Sequence, residues 1–292
     1  MVALVWGAAD DPPVAAVMSW LERLGAPHLR VADDVSGLAL HGDCDEPTAG
    51  TLIHGAGSLP LDRVTGLYVR PPDDGAAPFG ALDRGLVALA EGASARVFNR
   101  PSAMASNHSK PYQLRRLAVL GFAVPETLIT TTPETARAFC ASHGAVIYKS
   151  VSGIRSRVTR VGPAQFERLE EVRWCPTQFQ RHVAGVDVRV HVVEDAVFAC
   201  EVRSQADDYR YPGEGDAPAY LAPLALPEDV RARCLATSAA FALPLTGIDL
   251  RRSNDGRWYA FEVNPSPAFT CFDAAQADAI AETIARALLA PR

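Results

Sequence analysis

The sequence predicts a mixed α/β (α+β) protein. Three observations carry that expectation. Strand and helix patterns alternate through the first hundred residues, which favours a partly parallel sheet. The last third is strand-rich and then closes on a helical pattern. The composition, 48% hydrophobic and 21% charged over 292 residues, is that of a globular chain. It argues against disorder, collagen and coiled coil, and the length suits two or three domains of about 100–200 residues each.

Taken in order, residues 3–6 are a short apolar strand. Val14, Val17, Met18, Leu21 and Leu24 recur at helical spacing, and Gly25 stops that helix. Short strands are expected near 28–32, 38–41, 66–70 and 96–99, with Leu82, Leu86 and Leu89 marking a second helix. Residues 73–78 are a Pro/Gly/Asp loop inside this unit. A new section starts at Pro101. Ser109 caps a helix over 110–120, with Leu114 and Leu117 inward and Gly121 after its end. Residues 127–130 read as a strand. Thr132 caps the next helix, Pro133 takes its first position and Gly144 ends it. A strand over 145–149, a loop over 150–157 and a strand near 158–161 follow.

In the last section Val186, Val188, Val190 and Val192 alternate with Asp187, Arg189 and His191, the pattern of a half-buried strand. Glu194 and Asp195 turn the chain, and 197–203 returns as a partner, with Glu201 and Arg203 expected to continue the charged face. That face is either functional or the water side of a ladder. Residues 227–240 are a helix. Strands at 247–252 and 258–264 are joined by Ser253, Asn254, Asp255 and Gly256, a strong turn signal, and 274–289 is the closing helix. The expected division is 1–100, 101–176 and 177–292.

Acidic residues number 34 against 28 basic, a net charge of −6, so no basic excess points to nucleic acid or an anionic membrane. No run approaches the roughly 18 apolar residues of a membrane span, and the first ten residues lack signal-peptide features. Cys44, Cys140, Cys175, Cys200, Cys234 and Cys271 include no CxxC pair, which fits reduced thiols in a cytoplasm better than disulfides or zinc. Cys140, Cys200 and Cys234 sit in apolar patterns and are expected in the core. Only two of the 28 basic residues are lysine, Lys110 and Lys149. A lysine that persists in so arginine-rich a chain either survives by chance or meets a need for a compact ammonium, which the planar guanidinium cannot copy.

The final strand pair carries the best local chemistry. Ile248 and Leu250 face one way, so Asp249 and Arg251 face the other; Tyr259, Phe261 and Val263 are expected to face the core, leaving Glu262 and Asn264 opposite. Folding about the turn brings Asp249 roughly level with Glu262. Two carboxylates and an amide oxygen on one face suit Mg²⁺, which takes hard oxygen ligands and completes its shell with phosphate and water. The alternative is a solvated strand face. Lys149 closes an apolar strand and precedes a loop of serines and arginines with Gly153, able to cover phosphates. It is not a Walker A loop, and GxGxxG, HExxH and GxSxG are missing.

The order Lys110, Lys149, Gln180 to Val183, Asp249, then Glu262-Val263-Asn264-Pro265 resembles the ATP-grasp superfamily. Within it the chain resembles RimK-type carboxylate–amine ligases, with its nearest likeness to graspetide synthetases, the MvdD-like maturases of ribosomal peptides. The likeness covers most of 101–292, and residues 64–70 are similar to the pre-grasp strand of those maturases. It implies an ATP-grasp fold: a pre-ATP-grasp domain followed by two lobes that clamp ATP. It implies that Lys110 and Lys149 bind phosphates, with Ser150 and Gly153 in the covering loop. Gln180, Arg181 and Val183 would form the adenine hinge, the last two through backbone groups, and Asp187 would lie near the ribose. Asp249, Glu262 and Asn264 would hold Mg²⁺, or Mn²⁺ in its place. Arg189 would face the transferring phosphate or the acyl phosphate, and Arg210 the same zone. The loop after Lys149 departs from the family in having one glycine, with Arg155 and Arg157 offering charge instead. The implied partner is a carboxylate substrate, expected to be a precursor peptide, and a homodimer is compatible with the sequence. A ligase of small amino acids and a non-catalytic nucleotide-binding module are the alternatives.

Overall fold

The computed structural model describes residues 1–31, 38–42, 50–54, 57–71, 81–151, 158–204, 220–271 and 274–290. The N-terminal unit runs β1 (Val2–Gly7), α1 (Pro12–Arg23), β2 (His28–Val31), β3 (Leu38–Gly42), β4 (Gly50–His54), β5 (Gly57–Pro60), β6 (Val64–Arg70), α2 (Ala81–Gly92) and β7 (Arg96–Phe98). Its main sheet has the order β2-β1-β6-β7 and every pairing is parallel, as the alternation implied. The antiparallel sheet β3-β4-β5 contains two strands that the sequence reading missed, because 50–60 lacks a sustained apolar alternation. The loop at 73–78 lies outside the described residues.

The middle section runs α3 (Pro101–Met104), α4 (Lys110–Val119), β8 (Thr127–Thr130), α5 (Pro133–His143), β9 (Val146–Ser150), β10 (Thr159–Arg160), α6 (Pro163–Glu167) and β11 (Thr177–Arg181). Its antiparallel sheet has the order β10-β9-β11-β8. Leu128, Val146, Tyr148 and Phe179 on one face pack with Ala136, Leu169 and Val172. Because β11 pairs with both β8 and β9, this sheet extends past residue 176, where the sequence had placed a division. Ser109 caps α4 as expected, accepting from the Tyr112 amide at 3.4 Å. Thr132 occupies the cap position of α5 but its side chain makes no capping bond; its own amide donates to Thr130 Oγ1 at 2.9 Å.

The last section runs β12 (Gly185–Val193), β13 (Ala196–Arg203), β14 (Tyr220–Pro223), α7 (Glu228–Phe241), β15 (Leu245–Ser253), β16 (Trp258–Asn264) and α8 (Ala274–Leu289). The five strands form one antiparallel sheet, β14-β13-β12-β15-β16. Val188, Val190, Val192, Ile248, Leu250, Ala260 and Val263 pack on one face against Leu117, Phe122, Val230 and Cys234. α8 returns to the N-terminal unit and shares a core with Ala3, Val5 and Tyr68. It lies so close to β6 that a Cβ on Gly66 would meet the Leu288 carbonyl at 2.6 Å.

Two side-chain amides tie these parts together. β16 is an edge strand, and an uncovered edge leaves backbone groups unpaired. Gln113 of α4, fully buried, donates to the Val263 carbonyl at 2.7 Å and accepts from its amide at 3.1 Å, standing in for a neighbouring strand. Farther along, Ala123 takes the same part with Trp258 and Ala260. Buried Asn99, just past β7, donates to the Leu245 carbonyl at 2.6 Å and the Pro265 carbonyl at 2.5 Å, and accepts from Leu245 N at 3.0 Å. Asn99→Ala strands these buried backbone groups and is expected to cost at least about 2 kcal/mol by urea unfolding. A change under about 0.5 kcal/mol, the range of an ordinary surface substitution, would contradict this role.

Candidate active site

The register sets Asp249 directly opposite Glu262, one residue beyond the Phe261 that the turn alone would place there, and sets Arg189 opposite Asp249 on the other side. Directly paired residues share a face, so Asp187, Arg189 and His191 of β12 lie beside Arg251, Asp249 and Gly247 of β15. A bulge follows. Leu250 pairs with Ala260 rather than Phe261, so one residue of β16 is extra and the alternation resets. That corrects two expectations. Tyr259 and Phe261 do not join the core that takes Ala260 and Val263. Tyr259 instead accepts from Arg181 at 3.2 Å, and the Phe261 ring lies 5.3 Å from the Arg251 guanidinium. The extra residue allows Glu262 to share the site face while Val263 still reaches the core.

The charged face of β12 is not a water side. Arg189 and His191 are both buried, so the strand is covered on both faces over most of its length. Glu201 and Arg203 do not continue this face. Glu201 pairs with Val188, and Cys200 and Val202 take the positions beside Arg189 and Asp187. The return strand is offset by one from the expected register, and a slip of one flips every side chain.

Each carboxylate has its own cation. Lys110, only 1% exposed, donates to Glu262 Oε1 at 2.6 Å. It sits at the first turn of α4, where the helix dipole disfavours a cation, and Glu262 offsets that cost. Arg189 donates to Asp249 Oδ1 at 2.5 Å. Its guanidinium lies over Gly247, where a Cβ would collide with it. Asp187, expected near the ribose, is gripped by Arg251 through two bonds of 2.7 and 2.9 Å, and Arg251 also donates to the Val183 carbonyl at 2.8 Å. Asn264 turns its oxygen to the Ser266 amide at 2.9 Å, which shapes the turn after β16. From the N-terminal unit, Arg70 grips Asp11 and reaches Ser266 Oγ at 2.8 Å and the Pro267 carbonyl at 3.2 Å.

The second surface belongs to the β8-β9-β11 sheet. Opposite its packed core, Lys149 pairs with Gln178, and Gln180 with Ile147 and Thr127. Lys149, Gln178 and Gln180 are all buried. The Arg181 amide is already used by the Glu126 carbonyl at 3.0 Å. Ser150 ends β9 opposite Thr177. Gly153, Arg155, Arg157 and Arg210 lie outside the described residues. Gln113, Gln178 and the clamp of Arg251 escaped the sequence reading, because amides and arginines carry no periodic signal of their own.

Among the described residues no group of three or more His, Cys, Asp and Glu is placed to hold a metal. The donor set here has two carboxylates with an amide as third member, which fits Mg²⁺ completed by phosphate oxygens rather than a closed protein cage. Burial pushes the Cys234 thiol up to about 12, which leaves that core cysteine unreactive. Burial also holds His191 well below 6.5, with Arg189 acting in the same direction and Asp249 against it.

Paired carboxylates beside buried Lys110, with buried Lys149 on a second sheet, are features that fit an ATP-grasp ligase. The chain matches the RimK-like ATP-grasp domain over residues 106–288 and belongs to that family. Macrocyclase MdnC from Microcystis aeruginosa MRC, solved with precursor peptide MdnA, matches with a TM-score of 0.80 at 19% identity, over 99% of this chain and 100% of that one. A RiPP-associated ATP-grasp ligase from Chryseobacterium gregarium, solved with ADP and a leader and core peptide, gives 0.79 at 21%, over 100% and 98%. At those identities the likeness shows the fold. ATP-grasp ligase PsnB, solved with a minimal precursor, Mg and ADP, gives 0.74 at 26%, over 97% and 98%. No curated protein matches the chain in sequence.

The histidine gives a pH expectation. Its folded value is below the unfolded one, so the unfolded chain takes up the proton first. That contribution to stability is complete above about pH 6.5 and is lost as pH falls below it. Urea midpoints should drop between about pH 7.5 and 5, and His191→Gln should drop less. An equal slope in the variant would contradict the assignment.

Proposed function

We propose that the protein is an ATP-dependent ligase that joins a carboxylate to an amine or hydroxyl through an acyl phosphate, with a ribosomally made precursor peptide as the carboxylate substrate. The observation that carries it is the juxtaposition of Asp249 with Glu262, each held by its own buried cation, in a chain whose other lysine lies on the sheet bearing Gln180. Three solved structural neighbours contain precursor, leader or core peptides, which supports a peptide substrate.

In the first step a substrate carboxylate oxygen bonds to the γ-phosphorus of ATP, the β–γ bridging bond breaks and ADP leaves. In the second, the nucleophile bonds to the acyl carbon, phosphate leaves with its oxygen, and the nucleophile gives up a proton. Phosphoryl transfer asks mainly for positioning and charge neutralisation. Asp249, Glu262 and Asn264 are the residues that would hold Mg²⁺, with Mn²⁺ as a substitute; when bound, the ion supplies Lewis-acid stabilisation of phosphate oxygens. Lys110, Lys149 and Arg189 balance the remaining phosphate charge, and Arg210 joins them in this reading. The Arg181 amide and the Val183 carbonyl are already engaged, so the adenine hinge falls to the Arg181 carbonyl and the Val183 amide. In this reading Ser150 and Gly153 would cover the phosphates and keep water from the acyl phosphate. The proposed division is a pre-grasp unit to residue 100, then the two lobes.

A cytoplasmic setting suits this chemistry. The five cysteines among the described residues form no disulfide, and no helix among the described residues is long and apolar enough to cross a membrane.

Asp249→Ala and Glu262→Ala are each expected to lower ATP turnover at least about a hundredfold, since loss of a metal carboxylate removes several kcal/mol of transition-state stabilisation. Lys149→Arg keeps the charge but is expected to weaken nucleotide binding at least about tenfold. Mass spectrometry of a candidate precursor after incubation with ATP and Mg²⁺ should show loss of one water per link. Turnover with free amino acids and none with peptides would move the assignment to a small-molecule ligase, and wild-type turnover in either alanine variant would overturn the metal site.

A further inference from the structure

Gln178 is fully buried, and among the described residues neither its amide nitrogen nor its oxygen has a hydrogen-bond partner. Buried amides are nearly always satisfied, so an orphaned one asks for a ligand. Strand alternation places Gln178 on the face opposite Phe179 and the lobe's core, between Lys149 on β9 and Ile129 on β8, and two residues before Gln180. The neighbouring orphan is informative. Thr127 Oγ1 donates its hydrogen to the Pro125 carbonyl at 2.9 Å, so toward Gln180 it acts as an acceptor. The Gln180 nitrogen therefore faces Thr127 at 3.0 Å, and its oxygen, also orphaned, is the atom left over. The face thus offers one free acceptor from Gln180 and a donor with an acceptor from Gln178.

Adenine has an edge that fits this set. Its N6 amino group donates and its N7 accepts, the pair that a glutamine amide meets with two parallel bonds. Guanine presents acceptors at both O6 and N7, and would set its O6 against the glutamine oxygens. We infer that Gln178 reads the N6/N7 edge of an adenine base and selects adenine over guanine nucleotides, an inference that rests on the ATP-binding reading above. The residue contributes recognition, not phosphate or metal binding, and lies outside the set implied by the family resemblance.

Calorimetric binding of ADP, 7-deaza-ADP and GDP to the full chain tests it. Wild type should bind ADP about tenfold more tightly than either analogue, the scale of one good bidentate contact. Gln178→Leu should still bind ADP while losing most of that discrimination. Gln178→Met, nearer in shape, serves if the leucine variant does not fold, and the wild-type comparison stands without a variant. Wild type that binds ADP and 7-deaza-ADP equally would overturn the inference, as would variants with wild-type ratios. Wild type that binds no adenine nucleotide would instead sink the ligase reading on which it depends, a failure distinguished by the first titration.

Discussion

Two carboxylates held side by side, Asp249 and Glu262, are the constraint around which the molecule is arranged. Left alone, like charges at directly opposed strand positions destabilise a sheet. The chain keeps them by giving each a cation from a different element: Arg189 from the neighbouring strand and Lys110 from the helix that covers the sheet edge. Both cations are buried and their positions are fixed by packing. Removing one member of such a buried pair is strongly destabilising, because it strands a charge. The arrangement therefore contributes its specificity at a cost in stability, which a metal and phosphates would repay on binding.

The same site explains the backbone around it. Gln113 fills the edge of β16 beside Glu262 and so anchors the helix that carries Lys110. Asn99 links the end of the N-terminal sheet to the start of β15 and to Pro265. Arg70 reaches the same turn from β6. Three separate segments thus converge on the few residues after Glu262. The bulge at Phe261 shifts the register so that Glu262 lies opposite Asp249 while Ala260 and Val263 both stay with the core. The N-terminal unit is consequently part of the site's support.

Much of this was legible in the sequence, for a physical reason. β12 and β15 alternate regularly, and the Asn-Asp-Gly turn brought Asp249 to within one residue of Glu262, the last step being made by the bulge. The two lysines stood out because lysine is otherwise absent, and both proved buried on the expected elements. What failed has local causes. Alternation cannot announce a bulge, so Tyr259 and Phe261 were assigned to the wrong face. The register of β13 depends on a turn with Glu194 at positive φ, so Glu201 and Arg203 were misplaced. Gln113, Asn99 and Gln178 act through single long-range bonds or orphaned atoms, and in a sequence each looks like an ordinary polar residue.

Linkage between metal and nucleotide gives the most direct measurement. ADP affinity should be titrated with and without Mg²⁺ for wild type and for Glu262→Gln, which keeps the shape and loses the charge. If the paired carboxylates are a metal seat, Mg²⁺ should tighten ADP binding by about tenfold or more in wild type and have little effect in the variant. Equal Mg²⁺ dependence in the two proteins would mean that the ion is held by the nucleotide alone, and that Asp249 and Glu262 are paired for structure.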